Sequence, residues 1–335
     1  MRLIVTGTAG FIGSSFARMA LGWSERGRTE EFFPGMGLTE GPQALERLVS
    51  LDKLTYAGRR EHLDSLDDDP RHVFVEGDIR DSALLENLVQ AYEPEWIVNF
   101  AAESHVDRSI EGSEPFVQSN VVGTLRLLEM AHKHGLKFLQ ISTDEVYGSL
   151  GDQGYFTEHS PLSPNSPYSA SKAAADCFVQ AYVKTHELHA VITRSSNNYG
   201  PRQHPEKFLP VAIAACLRGE MIPVYGEGLN VRDWLHVEDH CYAVWLALTR
   251  AAGGAIYNVG GFGEMSNIEL ARRVCRALGR DPEETIRLVE DRKGHDWRYS
   301  VEPQHIVEEL GWNPRWRFDE GLAHTVEHYY QFWKQ

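Results

Sequence analysis

Tyr168 and Lys172, four positions apart, are a pair whose types and spacing could do chemistry. On a helix that spacing sets both side chains on one face. An unperturbed tyrosine, with a pKa near ~10, is a poor base at neutral pH. A neighbouring ammonium and an oxidised nicotinamide both favour the phenolate, which can then take a proton from an alcohol undergoing oxidation. Tyr-x-x-x-Lys also arises by chance on surface helices, so it gains weight only beside something that accepts a hydride. Gly7-Thr8-Ala9-Gly10-Phe11-Ile12-Gly13 is the fingerprint of such a cofactor. Gly7 permits a tight turn, Gly10 lets the backbone approach a pyrophosphate, and Gly13 lets helix and strand pack closely. The pyrophosphate then rests on the free N–H groups of a helix start. A third feature, the adjacent carboxyls Asp144 and Glu145, reads either as a turn cap at a strand end or as an acid beside a base.

A nicotinamide dinucleotide also needs an acid after the second strand to hold the adenosine ribose 2′-OH. Asp52, ending the run Arg47–Leu51, is placed for that. A carboxylate there repels a 2′-phosphate, so NAD is expected rather than NADP. Asp78 ends a third run and reads either as a hydrogen bond to the adenine or as a helix cap.

These residues need a frame, and the first half of the chain predicts one. Short apolar runs (Arg2–Thr6, Arg47–Leu51, His72–Glu76, Trp96–Phe100, Lys137–Ile141, Ala190–Thr193) alternate with helical patterns (Phe11–Leu21, Ser82–Tyr92, Glu114–His134, Pro167–His186). Runs this apolar have no wet face, which implies a parallel sheet covered on both sides. The expected fold is α/β, a Rossmann-type doubly wound parallel sheet with a smaller mixed C-terminal substrate-binding region. Residues 1–197 form the expected cofactor domain, with 233–262 returning to it, and 198–335 the substrate-binding region. Gly22–Gln43 carries too many glycines and prolines for a helix. It reads as a tolerated surface insertion in preference to a lid.

The 335 residues carry a formal charge of -15, which argues against a general nucleic-acid or anionic-membrane binder. No apolar stretch approaches a membrane span, and the N-terminus reads as a signal peptide for only its first five residues. The four cysteines include no C-x-x-C pair and read as reduced, so a cytoplasmic protein is expected. His236 and His240 have a metal-like i, i+4 spacing, but their order differs from H-E-x-x-H, and no metal is expected.

Taken together, the glycine fingerprint, Tyr168 with Lys172, and Ser142-Thr143-Asp144-Glu145-Val146-Tyr147-Gly148 resemble the extended short-chain dehydrogenase/reductases that modify nucleotide sugars. Within that family Thr-Asp-Glu is similar to the branch that dehydrates dTDP-glucose. Leu51-Asp52-Lys53-Leu54-Thr55-Tyr56-Ala57-Gly58 and Asn230-Val231-Arg232-Asp233-Trp234 resemble that branch too. C4-epimerases lack the Asp-Glu pair. The implied reaction oxidises C4, eliminates water across C5–C6 and returns the hydride to C6. The resemblance makes Asp144 the acid, Glu145 the base at C5, and Thr143 a hydrogen bond to the 4-OH.

Further roles are implied by the resemblance alone. Phe11, Ile12, Lys53, Leu54, Thr55 and Ile79 would join the glycines, Asp52 and Asp78 in holding NAD. Phe100, Ala101 and Ala102 would line the nicotinamide, Ser104 would approach the sugar, and Ser119 would face the cofactor. Asn197 would touch substrate and Asn198 the nicotinamide. Lys207, followed by Phe208, and Arg232 would bind the diphosphate. Pro223, Val224 and Tyr225 would form a nucleoside-binding strand, and Asn267, Asp291 and His295 would complete the cap. Lys293 departs from the proline usual in that last motif. Apolar residues of Pro167–His186 such as Ala173, Ala174, Cys177, Phe178, Ala181 and Tyr182 spread over more than one face, so one face could pair with a second subunit. The resemblance implies a homodimer. Three alternatives remain open: the same reaction on UDP-glucose, a C4-epimerase, and a non-catalytic NAD sensor.

Overall fold

The computed structural model describes residues 1–33, 36, 44–291 and 295–334. Its centre is a seven-stranded sheet of β1 (Arg2–Thr6), β2 (Arg47–Asp52), β3 (His72–Glu76), β4 (Trp96–Asn99), β5 (Lys137–Thr143), β6 (Ala190–Ser195) and β7 (Ile256–Val259). The order across the sheet is β7-β6-β5-β4-β1-β2-β3, and every pairing is parallel. The order reverses beside β1, so a crevice opens between β1 and β4 above their C-terminal ends. Thr6 is level with Leu51 on one side and Asn99 on the other.

Side chains alternate along each strand, and both faces are apolar. Leu3 and Val5 join Phe16, Tyr242 and Trp245 on the face covered by α1 (Phe11–Ala20) and α6 (Val237–Arg250). Ile4, Val49 and Ile97 join Leu85, Leu127 and Val179 on the other face. That face is covered by α2 (Ser82–Tyr92), α3 (Thr124–His134) and α4 (Pro167–His186). A separate apolar cluster packs α5 (Phe208–Arg218), α7 (Asn267–Ala277) and α8 (Phe318–Lys334) against a parallel strand pair, Ile222–Tyr225 and Ile286–Val289. Among the described residues, no helix is long and apolar enough to cross a membrane.

Three local departures from the sequence reading have physical causes. The helix expected over Glu114–His134 is continuous but π-helical from Val117 to Gly123. There Asn120 turns inward to the backbone of Glu103, and Gly123 lies against Ile79 so closely that a Cβ would meet its Cδ1 at 2.4 Å. β7 escaped notice because its four residues include Asn258. The described part of Gly22–Gln43 is not a surface insertion. Trp23–Ser24 pairs with Gly27–Arg28, and Thr29–Phe32 forms a helical turn. Phe33 and Met36 are buried in the main core, where Trp245 Nε1 donates to the Met36 carbonyl at 2.8 Å. Residues 34–35 and 37–43 lie outside the described residues, as does Lys293.

The glycine loop tolerates almost no added volume. Gly7 has φ +70°, and a Cβ there would sit 2.6 Å from Ala101 N. A Cβ on Gly13 would meet the Gly7 carbonyl oxygen at 2.2 Å, and backbone cannot rotate aside as a side chain would. Gly13→Ala is therefore expected to destabilise the fold by about 1–3 kcal/mol, read as a lowered Tm in thermal denaturation. An unchanged Tm would contradict this packing.

Candidate active site

At the C-terminal ends of β1, β2, β4 and β5 lies a cavity of about 300 Å³. Gly7, Gly10, Phe11, Ile12 and Gly13 form one wall. The helix behind them starts at Phe11, and its N-cap Gly10 offers no side-chain cap, so its first N–H groups face an open crevice. A glycine cradle that a Cβ would fill, set on an uncapped helix start, fits a pyrophosphate. Asp52 lines the same cavity. Its Oδ2 accepts from Ala9 N at 2.9 Å and its Oδ1 from Leu54 N at 2.8 Å, tying strand end to glycine loop. Each carboxylate oxygen retains accepting capacity for a ribose hydroxyl. Burial raises the Asp52 pKa, and those N–H groups oppose the rise. Asp78 also lines the cavity, but it does not cap α2; Asp81 does, accepting from Ala83 N and Leu84 N at 3.0 Å. The Asp78 carboxyl lies at about 2, with burial outweighed by Arg80 and Lys53.

The opposite wall carries Thr143, Asp144, Glu145, Tyr168 and Lys172. α4 begins at a capping box between Ser166 and Ser169 with Pro167 in its first turn, which fixes Tyr168 at the mouth of the helix. Lys172, one turn on, is buried, and its Nζ donates to the Ile141 carbonyl at 2.6 Å. Burial draws that ammonium down to about 8, while Asp176 favours its charged form. Around Tyr168 the protein's own groups act against the phenolate. Burial, then the charges of Glu145 and Asp144, push its phenol above the ordinary value, opposed by a hydrogen bond with Thr143. The cation one turn away does not reverse this.

The two carboxyls are not equivalent. Asp144 is buried, with Oδ1 accepting from the Thr143 hydroxyl at 3.2 Å and Oδ2 buried without a partner. Burial, then the charges of Glu145 and Asp233, push its pKa well up from the ordinary carboxylate value, which favours the neutral acid. Glu145 is half-buried, and its backbone N–H is capped by Thr143 Oγ1 at 3.3 Å. One wall thus presents a buried carboxyl biased toward its acid form, a second carboxyl and a phenol, the groups that proton transfer at three positions would use.

Behind α4 runs a buried polar chain that sequence reading missed. Asp176 accepts from Arg194 Nε at 2.9 Å, Arg194 donates to the Tyr147 hydroxyl at 2.8 Å, and Tyr147 donates to Asn258 at 2.8 Å. The signal was present: Asp176 continues the four-residue spacing of Tyr168 and Lys172. Asp176→Asn leaves the Arg194 charge buried without its partner and is expected to cost about 3–5 kcal/mol in chemical denaturation. A loss below ~1 kcal/mol would show the network to be dispensable. Asn120 was missed too. Its side chain pairs with both backbone groups of Glu103 and with Ser171, whose hydroxyl donates to the Tyr168 carbonyl at 2.6 Å.

The remaining expected residues divide. Lys53, Thr55 and Ile79 line this cavity, as do Phe100, Ala101, Ala102 and Ser104. So do Ser119, Asn197, Asn198 and Lys207. Lys207 Nζ donates to the Ser104 carbonyl at 2.9 Å. Leu54, Phe208, Pro223, Val224 and Tyr225 are not on its walls, nor are Arg232, Asn267, Asp291 and His295. Asp291 and His295 meet each other at 2.6 Å beside Tyr225. Val224 is buried in the C-terminal cluster, so only its backbone could meet a ligand. Arg232 donates to the carbonyls of Val231 and Asp296, and its charge reaches Asp144. Arg202, Gln203 and His204 line the cavity although no role was expected of them. His240 meets Asn198 Oδ1 at 2.9 Å and His236 stacks on Trp316, so neither points at the other.

Comparison with known proteins follows the same lines. A family model described as GDP-mannose 4,6 dehydratase matches residues 38–325. A dTDP-glucose 4,6-dehydratase of Xanthomonas campestris is 46% identical over 352 residues, covering 99% of this chain and 94% of that one. A low-salt glycan biosynthesis protein of Haloferax volcanii is 48% identical over 330 residues, covering 98% of each. The crystal structure of a Streptomyces venezuelae dTDP-glucose 4,6-dehydratase with NAD bound superposes with a TM-score of 0.91 at 46% identity, covering 99% and 97%. The chain belongs to the extended short-chain dehydrogenase/reductases, among their 4,6-dehydratases and in the branch of the dTDP-glucose enzymes.

Proposed function

We propose that this protein is an NAD-dependent dTDP-glucose 4,6-dehydratase, a lyase that makes dTDP-4-keto-6-deoxyglucose. The observation that carries it is the buried Asp144, its pKa raised, beside Glu145 in the cavity that also holds Tyr168 and the glycine loop. NAD, when bound, takes the C4 hydride and gives it back at C6, so the reaction is redox-neutral overall. The chain's residues move the protons. Tyr168 takes the proton of the 4-OH, with Thr143 holding that hydroxyl, and the positive charge of the oxidised nicotinamide supplies the pull toward phenolate that Lys172 alone does not. Glu145 removes the C5 proton, acidified by the new C4 ketone, and Asp144 protonates the departing C6 hydroxyl. An epimerase needs no such pair.

The residues expected to hold NAD are those of the glycine loop with Asp52, Lys53, Thr55, Asp78 and Ile79, and the backbone of Leu54. Arg232 and Lys207 are the cations for the diphosphate. Residues 1–197 with 233–262 serve as the cofactor domain and 198–335 as the substrate region. The exposed Cys177, Phe178 and Ala181 of α4 fit a homodimer, and the reduced cysteines fit a cytoplasmic enzyme.

Mass spectrometry of the products from dTDP-glucose and UDP-glucose, with no cofactor added, tests the reading. Loss of one water from dTDP-glucose is expected, and faster than from UDP-glucose. An unchanged mass with dTDP-glucose contradicts it. Asp52→Ala is expected to lower NAD affinity by roughly 10- to 100-fold, the worth of a hydrogen bond to a charged group. Released NADP in place of NAD would overturn the role of Asp52.

A further inference from the structure

A second cavity, of about 400 Å³, adjoins the first. Its walls come from the end of α1, the segment 59–65, the turn at 202–205 and one face of α8. Two features of those walls point to a ligand.

The first is charge. Arg18, Arg59 and Arg202 all line the cavity. Arg18 and Arg202 share a single carboxylate, Glu25, and Arg59 has no carboxylate partner among the described residues. Arg202 is buried to 11% side-chain exposure, and its Nε has no hydrogen-bond partner. Of the two carboxylates on the walls, Asp64 already faces Arg60 at 3.4 Å, and Glu61 is exposed. His62 and His328 are both pushed down to about 4, chiefly by burial, with the charge of Arg202 acting in the same direction. The second feature is aromatic surface. Phe332 is 43% exposed, with the Arg59 guanidinium 5.5 Å from its ring centre, and Tyr329 lines the wall beside it. Guanidinium groups without full compensation suit phosphate, an open ring suits a base, and the volume is within the range of ligand pockets.

We propose that this cavity binds a nucleoside phosphate other than the cofactor and the substrate, with its phosphates on Arg59 and Arg202 and its base against Phe332. Occupancy is communicated to the active site by two direct connections. Arg202, Gln203 and His204 line both cavities. The carbonyl of Ala9, in the glycine loop, accepts from Arg59 N at 2.9 Å and lies 3.0 Å from His62 Nδ1. A ligand that moves the 59–62 segment therefore pulls on the loop that cradles the pyrophosphate.

The test uses the NAD-loaded protein with its active site saturated by dTDP, titrated calorimetrically with ADP and, separately, with inorganic pyrophosphate. One additional ADP site per chain is expected. Arg59→Ser weakens ADP and pyrophosphate by about 10-fold or more, as loss of a charge-assisted contact should. Phe332→Ala weakens ADP and spares pyrophosphate, and both variants keep wild-type turnover in the absence of ADP. Absence of binding by either probe overturns the proposal, as does ADP affinity unchanged in both variants.

Discussion

Tyr168→Phe lowers the rate of sugar oxidation by about 10²- to 10⁴-fold, the contribution of a single positioned base, while substrate binding changes little. The substitution removes the ionisable oxygen and keeps the ring that packs edge-on to Phe116. The direction of the Tyr168 shift adds a pH dependence. Because burial and the two carboxyls hold the phenol above its ordinary value, the phenolate fraction is small at neutral pH and grows as pH rises. The oxidation step, isolated in a single turnover, accelerates with pH. Lys172→Ala leaves the field of the carboxylates less opposed and moves that profile further upward. A profile that stays in place while proton transfer limits the rate would remove Lys172 from this role.

Glu145→Gln is expected to separate the first half of the reaction from the second. Tyr168 can still complete oxidation at C4, but the C5 proton has no base, so turnover falls by about 10²- to 10⁴-fold. With one equivalent of dTDP-glucose, the near-ultraviolet absorbance of reduced nicotinamide rises and persists, and solvent deuterium enters C5 only slowly. Asp144→Asn also slows the loss of water, with more residual activity, because solvent can supply a proton to a leaving hydroxyl. A Glu145→Gln protein that dehydrates at the wild-type rate would place the base elsewhere.

The parts of this molecule that depend on local pattern were legible in the sequence. The boundaries of β1, β3, α2 and α4 follow directly from apolar periodicity. The glycine loop and the Tyr168–Lys172 pair were legible because turn, close approach and helix spacing each demand particular residues at fixed offsets. What depends on distant partners was not. Phe33 and Met36 look like loop residues until Tyr242 and Trp245, some two hundred positions on, receive them. The π-helical stretch at Asn120 has no periodic mark, since its cause is the backbone of Glu103 in another segment. The balance at Tyr168 was half legible for a related reason: spacing reveals the neighbouring lysine but not the burial that works against it.

The central claim is that Tyr168, Asp144 and Glu145 serve one continuous reaction in which hydrogen leaves C4 and arrives at C6. It is tested most directly by turning over dTDP-glucose carrying deuterium at C4 and locating the label in the product. The account predicts deuterium in the C6 methyl group, with the solvent proton at C5. Label retained at C4 in a C4 epimer, or washed out before reaching C6, would contradict it.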